Sequence, residues 1–193
     1  MTASITRCFR KVNLLLALVA LALSLFTMPA ARAEGIAVRH AAMVLGEEGY
    51  FLEADFEIVL NPTLEEALNK GVPLYFLLEF EVIRPRWYWL NEKVLNTAQQ
   101  YRLTYNALTR QYRLGIGSLY QNFSELAEAL DFLSRVRRRQ VLEPRMLVRG
   151  ANYNAGVRMQ LDVSQLPKPF QLNALASRDW NLGSEWFRWS VTP

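Results

Sequence analysis

The chain has 193 residues, a formal charge of +4 and a pI near 9.4, with one histidine and one cysteine. Those two counts exclude an intrachain disulfide and any metal site built from several His or Cys ligands. The charge itself excludes nothing until its placement along the chain is known.

Residues 1–13 carry Arg7, Arg10 and Lys11 and no acid, and residues 14–26 (LLLALVALALSLF) are apolar except for Ser24. Ala31 and Ala33 then flank Arg32. A positive start, an apolar run and an A-x-A-like site are the order of a secretory signal peptide. Cleavage is predicted after Ala33, leaving Glu34 first, so that 1–33 is signal helix and 34–193 a single domain. The alternative is an uncleaved inner-membrane anchor. The Val12–Met28 stretch of 17 residues is at the short end of the roughly 17–25 that span a bilayer. Cys8 precedes the apolar run, whereas a lipoprotein cysteine would follow it. The expected location is therefore the periplasm, with membrane contact only through this segment if it is retained.

Four bases and no acid lie in residues 1–33, so 34–193 balances eighteen bases against eighteen acids. A neutral exported domain gives no electrostatic case for nucleic-acid binding, which rests on phosphate neutralisation by a basic surface. With Cys8 removed, thiolate chemistry is excluded as well.

From residue 34 onward the chain reads as strands. Residues 36–45 and 50–60 flank a hairpin loop, Gly46-Glu47-Glu48-Gly49. In the second strand Leu52, Ala54, Phe56, Ile58 and Leu60 alternate with Glu53, Asp55 and Glu57. Asn61-Pro62-Thr63 opens a short helix that Gly71 stops. Residues 73–84 alternate again until Pro85, and RWYWLNEKVL suggests a further strand. Residues 99–105 and 110–117 form a hairpin around Asn106-Ala107-Leu108-Thr109. Leu126, Ala129, Leu130, Leu133 and Val136 predict a helix over 123–137, with Asn122 and Glu125 as a capping box. Residues 145–150 and 155–163 read as strands, Pro167 and Pro169 as an extended loop, and SEWFRWSV as a last strand. The fold class expected is mostly β, an antiparallel β-sandwich-like domain with two short helices, preceded by the signal helix.

Arg135-Val136-Arg137-Arg138-Arg139 then falls at a helix C-terminus, where cations are favoured. Residues 34–81 carry ten acids and two bases, residues 82–160 five acids and thirteen bases. Acidic and arginine-bearing strands are therefore expected to pair across a sheet. A residual basic face could meet an acidic partner or anionic headgroups.

The chemistry available is narrow. His40 alone would have to serve any Ser-His-Asp triad, and it sits near a terminus. Glu53, Asp55 and Glu57 share a strand face at about 7 Å spacing, which reads first as a solvated face and second as oxygen ligands for calcium. No catalytic, cofactor or metal residue is assigned. The aromatics are more informative: Trp87 and Trp89 share one face, Phe187 and Trp189 another, with Trp180 and Trp186 nearby in sequence. Such residues build cores and also interfaces.

LPKPFQ, YRLTYNALTRQYRL, RMQLDVSQ and DWNLGSEWFRW occur in separate segments spread along the chain. Together they resemble the exported Gram-negative bacterial domain-of-unknown-function family 4390. The resemblance implies small signal-peptide-bearing envelope proteins associated with a nitrogen-regulation-type sensor kinase, and carries no catalytic residues. The leading functional expectation is a non-catalytic periplasmic or envelope accessory module that binds a protein partner, such as a membrane sensor kinase. Its candidate face comprises Trp87, Trp89, Arg137, Arg138, Arg139, Trp186 and Trp189. A glycan or small-ligand binding module is the second expectation, and a carboxylate-dependent hydrolase the third.

Overall fold

Two antiparallel sheets account for most of the fold in a computed structural model, which describes residues 35–86, 88 and 91–193, the side chains of Leu175 and Ala176 aside. The expected signal segment with its expected cut between Ala33 and Glu34, and Trp87 and Trp89, lie outside the described residues. The strands are β1 (Gly35–Leu45), β2 (Tyr50–Val59), β3 (Leu74–Arg84), β4 (Glu92–Asn106), β5 (Gln111–Ile116), β6 (Leu119–Phe123), β7 (Arg135–Leu142), β8 (Tyr153–Leu161) and β9 (Phe187–Val191). The smaller sheet has the order β1-β2-β7 and the larger β6-β5-β4-β3-β8-β9.

Alternation builds the core. Leu74, Phe76, Leu78, Phe80 and Val82 of β3 are buried while Glu79 points to the other side, and Tyr153, Ala155, Val157, Met159 and Leu161 do the same on β8. Leu52, Ala54 and Phe56 of β2 join them in one cluster, so the inner faces of both sheets share a core. Burying these side chains is the main stabilising term, at roughly 1.5–3 kcal/mol for each large apolar one.

Two helices carry the chain between the sheets. Helix α1 (Pro62–Asn69) links β2 to β3. Asn61 caps it, its side chain accepting from the Leu64 N–H at 2.9 Å, and donates to the Asp179 carbonyl at 2.6 Å. Helix α2 (Leu126–Ser134) links β6 to β7, burying Ala129 and Leu133 against β2 and β5. A third helix, α3 (Lys168–Ala176), stands where the two prolines suggested an extended loop. Pro167 is its N-cap and Pro169 falls in its first turn, where a missing N–H costs nothing.

Other expectations are also corrected. Helix α2 ends at Ser134, not 137, and begins at an uncapped Glu125, so Asn122 closes no capping box and instead accepts from Arg113 at 3.1 Å. The stretch 145–150 forms no strand: Pro144–Met146 is a 3-10 turn, which the proline starts. SEWFRWSV enters the sheet only at Phe187. The arginine run starts at the C-cap of α2 with Arg135, as expected, but continues as strand β7 and not as the helix's last turn. The edge of β2 is the cause, since Asp55 pairs with Arg135 across it.

The expected exchange of charge between strands is present. Arg39 pairs with Glu57, Arg137 with Asp55 at 2.6 Å, Arg158 with Glu79 at 2.5 Å and Arg188 with Glu81 at 3.1 Å. Among the described residues no helix is long and apolar enough to cross a membrane.

Candidate functional site

The arginine strand does not run regularly. Ala54 pairs with Val136 but Leu52 pairs with Arg139, so Arg137 and Arg138 together stand opposite Glu53. This is a β-bulge, and Arg138 takes the left-handed conformation at φ 44°, uncommon for a residue with a side chain. The register slips again between Tyr50–Leu142 and Phe51–Gln140, leaving Val141 extra. Cross-strand partners share a face. Val136, Arg139 and Leu142 are therefore carried to the inner face with Ala54, Leu52 and Tyr50, at a spacing of three instead of two.

Val136 and Leu142 are buried there, as the face requires. Arg139 is the exception, a charge placed opposite a fully buried leucine. It shares a cavity wall with Tyr101 of β4, a residue only 8 % exposed, close enough for its charge to act on the phenol. Burial pushes the Tyr101 phenol above its ordinary value, and the Arg139 guanidinium opposes that rise. Among the described residues no carboxylate pairs with Arg139.

Around this contact the sheets part to leave a cavity of about 800 Å³. Gln99 and Tyr101 of β4, Ile116 of β5 and Phe123 of β6 line one side. Glu128, Asp131 and Phe132 of α2, with Arg135, Val136, Arg137 and Arg139 of β7, line the other. The Phe123 and Phe132 rings lie 5.5 Å apart. Two of the three arginines are engaged: Arg135 with Asp131 at 2.5 Å and Arg137 with Asp55 at 2.6 Å. Asp55 also pushes the Arg137 guanidinium above its ordinary value, chiefly by accepting its hydrogen bond. A volume of this size is typical of small-molecule sites, which are mostly apolar with a few placed polar groups.

Residues 33–190 match the family described as Domain of unknown function (DUF4390). The chain belongs to that family. No curated protein and no solved structure matches it.

Among the described residues, the expected face of this DUF4390 chain is split between separate places. Arg137 and Arg139 line the cavity, whereas Arg138 lies over the Phe51 ring at 5.4 Å. Trp189 packs toward the core, 6.3 Å from Phe80 and 5.9 Å from Phe187. Trp186 covers Gly156 and lies between Arg158 at 4.7 Å and Arg188 at 5.2 Å. It borders a smaller hollow of about 290 Å³ beside Ile36 and Val38 of β1. Strand β1 packs against β8 and β9, and β7 is the opposite edge of its sheet. Trp186 and Trp189 therefore stand at the opposite end of the fold from the arginines.

Gln99, Tyr101, Ile116, Phe123, Glu128, Asp131 and Phe132 are the cavity residues that sequence reasoning missed. Alternation along β4 does carry Tyr101 and Leu103 to the inner face, a signal visible in YRLTY. Nothing in the chain's order says that β4 will meet β7.

Proposed function

We propose that this protein is an exported, non-catalytic binding module, and that the cavity between α2, β7 and β4–β6 holds an anionic small ligand. The observation that carries the reading is Arg139. A cation on the inner face of a sheet is costly without a carboxylate. The neighbouring Tyr101 phenol is a poor substitute, and a bound anion supplies what is lacking. The hydrolase reading has no comparable support, because Glu79 and Glu81 are each held by an arginine. The glycan reading gains none, since its tryptophan pair is outside the described residues.

Native mass spectrometry of the protein purified gently from cell envelopes tests this. A retained small anion, absent from Arg139→Met, is the expected result. A bare protein together with no thermal shift from any member of an anion panel would end the reading. The same sample should begin at Glu34.

A protein partner is the second reading, and the edge of the larger sheet favours it. Strand β6 is a terminal strand with Leu119 75 % and Tyr120 59 % exposed. Such an edge suits strand addition by an extended peptide segment, as from a sensor kinase. Envelope crosslinking from Tyr120 would recover that partner, and recovery of none would remove it.

A further inference from the structure

We infer that the ligand is an amphipathic monoanion, with one acidic head on Arg139 and Tyr101 and an apolar tail along Ile116, Phe123 and Phe132. The inference rests on the binding-module reading and adds the chemical class of ligand. Two features of the cavity lead to it.

The first is donor inventory at one pole. An arginine has five N–H donors and cannot accept, so towards Arg139 the neighbouring Tyr101 phenol can present only its oxygen. The phenol proton stays available to donate. Arg139 keeps the rest of its fork. Two neighbouring groups thus offer only donors, which is a site for a carboxylate, sulfonate or phosphate oxygen. The second is the charge count. Asp131 holds Arg135 and Asp55 holds Arg137, leaving Arg139 as the one lining cation outside a described ion pair and Glu128 as the one such carboxylate. Glu128 and Asp131 also lie on the α2 side and repel further negative charge. One net charge on the ligand fits; a polyanion does not.

The remaining wall is apolar and leads away from that pole. Ile116 lies directly across from Tyr101 on the neighbouring strand, and Phe123 lies further along on β6, paired with Phe132. A hydrocarbon tail covers this surface, which gains free energy in proportion to the apolar area removed from water.

The test is calorimetric titration of the protein as the cell processes it, with dodecanoate, dodecanol, dodecyltrimethylammonium and acetate below micellar concentrations. Methyl NMR of Ile116 locates the binding. Dodecanoate should bind and shift the Ile116 methyl, while dodecanol and the cation bind at least about tenfold more weakly and acetate not detectably. Arg139→Met should weaken dodecanoate by roughly tenfold to a hundredfold, the range of a lost charge-assisted hydrogen bond, and leave dodecanol unchanged. Phe132→Ser should weaken both. Vesicles of phosphatidylcholine with and without phosphatidylglycerol distinguish a bilayer lipid from a free single-tailed anion, and capture only by the anionic vesicles supports the same chemistry.

Equal binding of dodecanol and dodecanoate would overturn the inference, as would acetate binding as well as dodecanoate. Binding of a short polar anion, lost in Arg139→Met, would overturn the tail while leaving the binding-module reading in place. No binding by any anion would remove both.

Discussion

Arg139→Met separates a residue kept for binding from one kept for stability. Methionine retains an unbranched stem and removes the guanidinium. The loss is at most the charge-assisted contact with the neighbouring Tyr101 phenol, about 1.5–3 kcal/mol. Against it stand relief of an unpaired, half-buried charge and burial of an apolar side chain. Full burial of a methionine would return about 1.5–3 kcal/mol, and roughly half of that applies to a half-buried site. Desolvation of an unpaired cation costs several kcal/mol at full burial and less here. The net change falls within about 1 kcal/mol of zero. At roughly 2–4 °C per kcal/mol for a domain of this size, the unfolding midpoint should move by no more than about 4 °C in either direction. Urea denaturation followed by tryptophan fluorescence measures it, with ligand binding assayed on the same sample. The variant also has a spectroscopic signature. Arg139 lowers the Tyr101 phenol and burial raises it, so removing the arginine sends its titration to still higher pH. Because the folded value lies above the unfolded one, this stabilisation is complete below about pH 10 and is lost as pH rises through the folded value. The pH dependence of stability above 10 should steepen in the variant. A loss of more than about 2 kcal/mol with unaltered anion binding would show that Arg139 is a structural residue and refute the argument.

Other substitutions test the frame that positions the cavity. Asn61→Ala removes the cap of α1 and orphans the Asp179 carbonyl, and should cost about 1–2 kcal/mol in urea unfolding; a change below about 0.5 kcal/mol would contradict the tie between α1 and residues 178–180. Gly49→Ala puts a Cβ 2.2 Å from the Leu142 carbonyl at φ +144°, so about 2 kcal/mol or more should be lost. Faster amide exchange in β7 than in β3 is the expected local sign. Trp186→Ala gives up two cation–π contacts and should cost about 1–2 kcal/mol without changing affinity for a cavity ligand, because the two sites are at opposite ends of the fold. A weakened ligand in that variant would mean the ends are coupled.

Strands β2, β3 and β8 were readable because each buries one face, and a period of two survives in the residues. The α1 cap was readable because Asn-Pro followed by two acids is a local signal. The prolines of LPKPFQ misled because the same residue serves an extended loop and a first helical turn. Which one forms depends on packing of the following residues, here Phe170 against Trp180 at 5.7 Å.

The junction of α2 and β7 shows why the site was harder to read than the sheets. Leu126, Ala129, Leu130, Leu133 and Val136 keep helical spacing, and Leu142 lies nine residues beyond Leu133, so nothing marks a boundary at Ser134. The strand keeps buried residues three apart only because two bulges each add a residue. A bulge is decided by the partner strand and not by the bulged one, since Leu52 and Ala54 fix which arginines can face inward. The same geometry makes the site. With regular alternation from Val136, the inner face would carry Arg138, whose side chain now lies over Phe51. The left-handed turn at Arg138 delivers Arg139 to Tyr101 instead. In a run of three arginines the sequence distinguishes none of them, and the pairing with β2 singles out one.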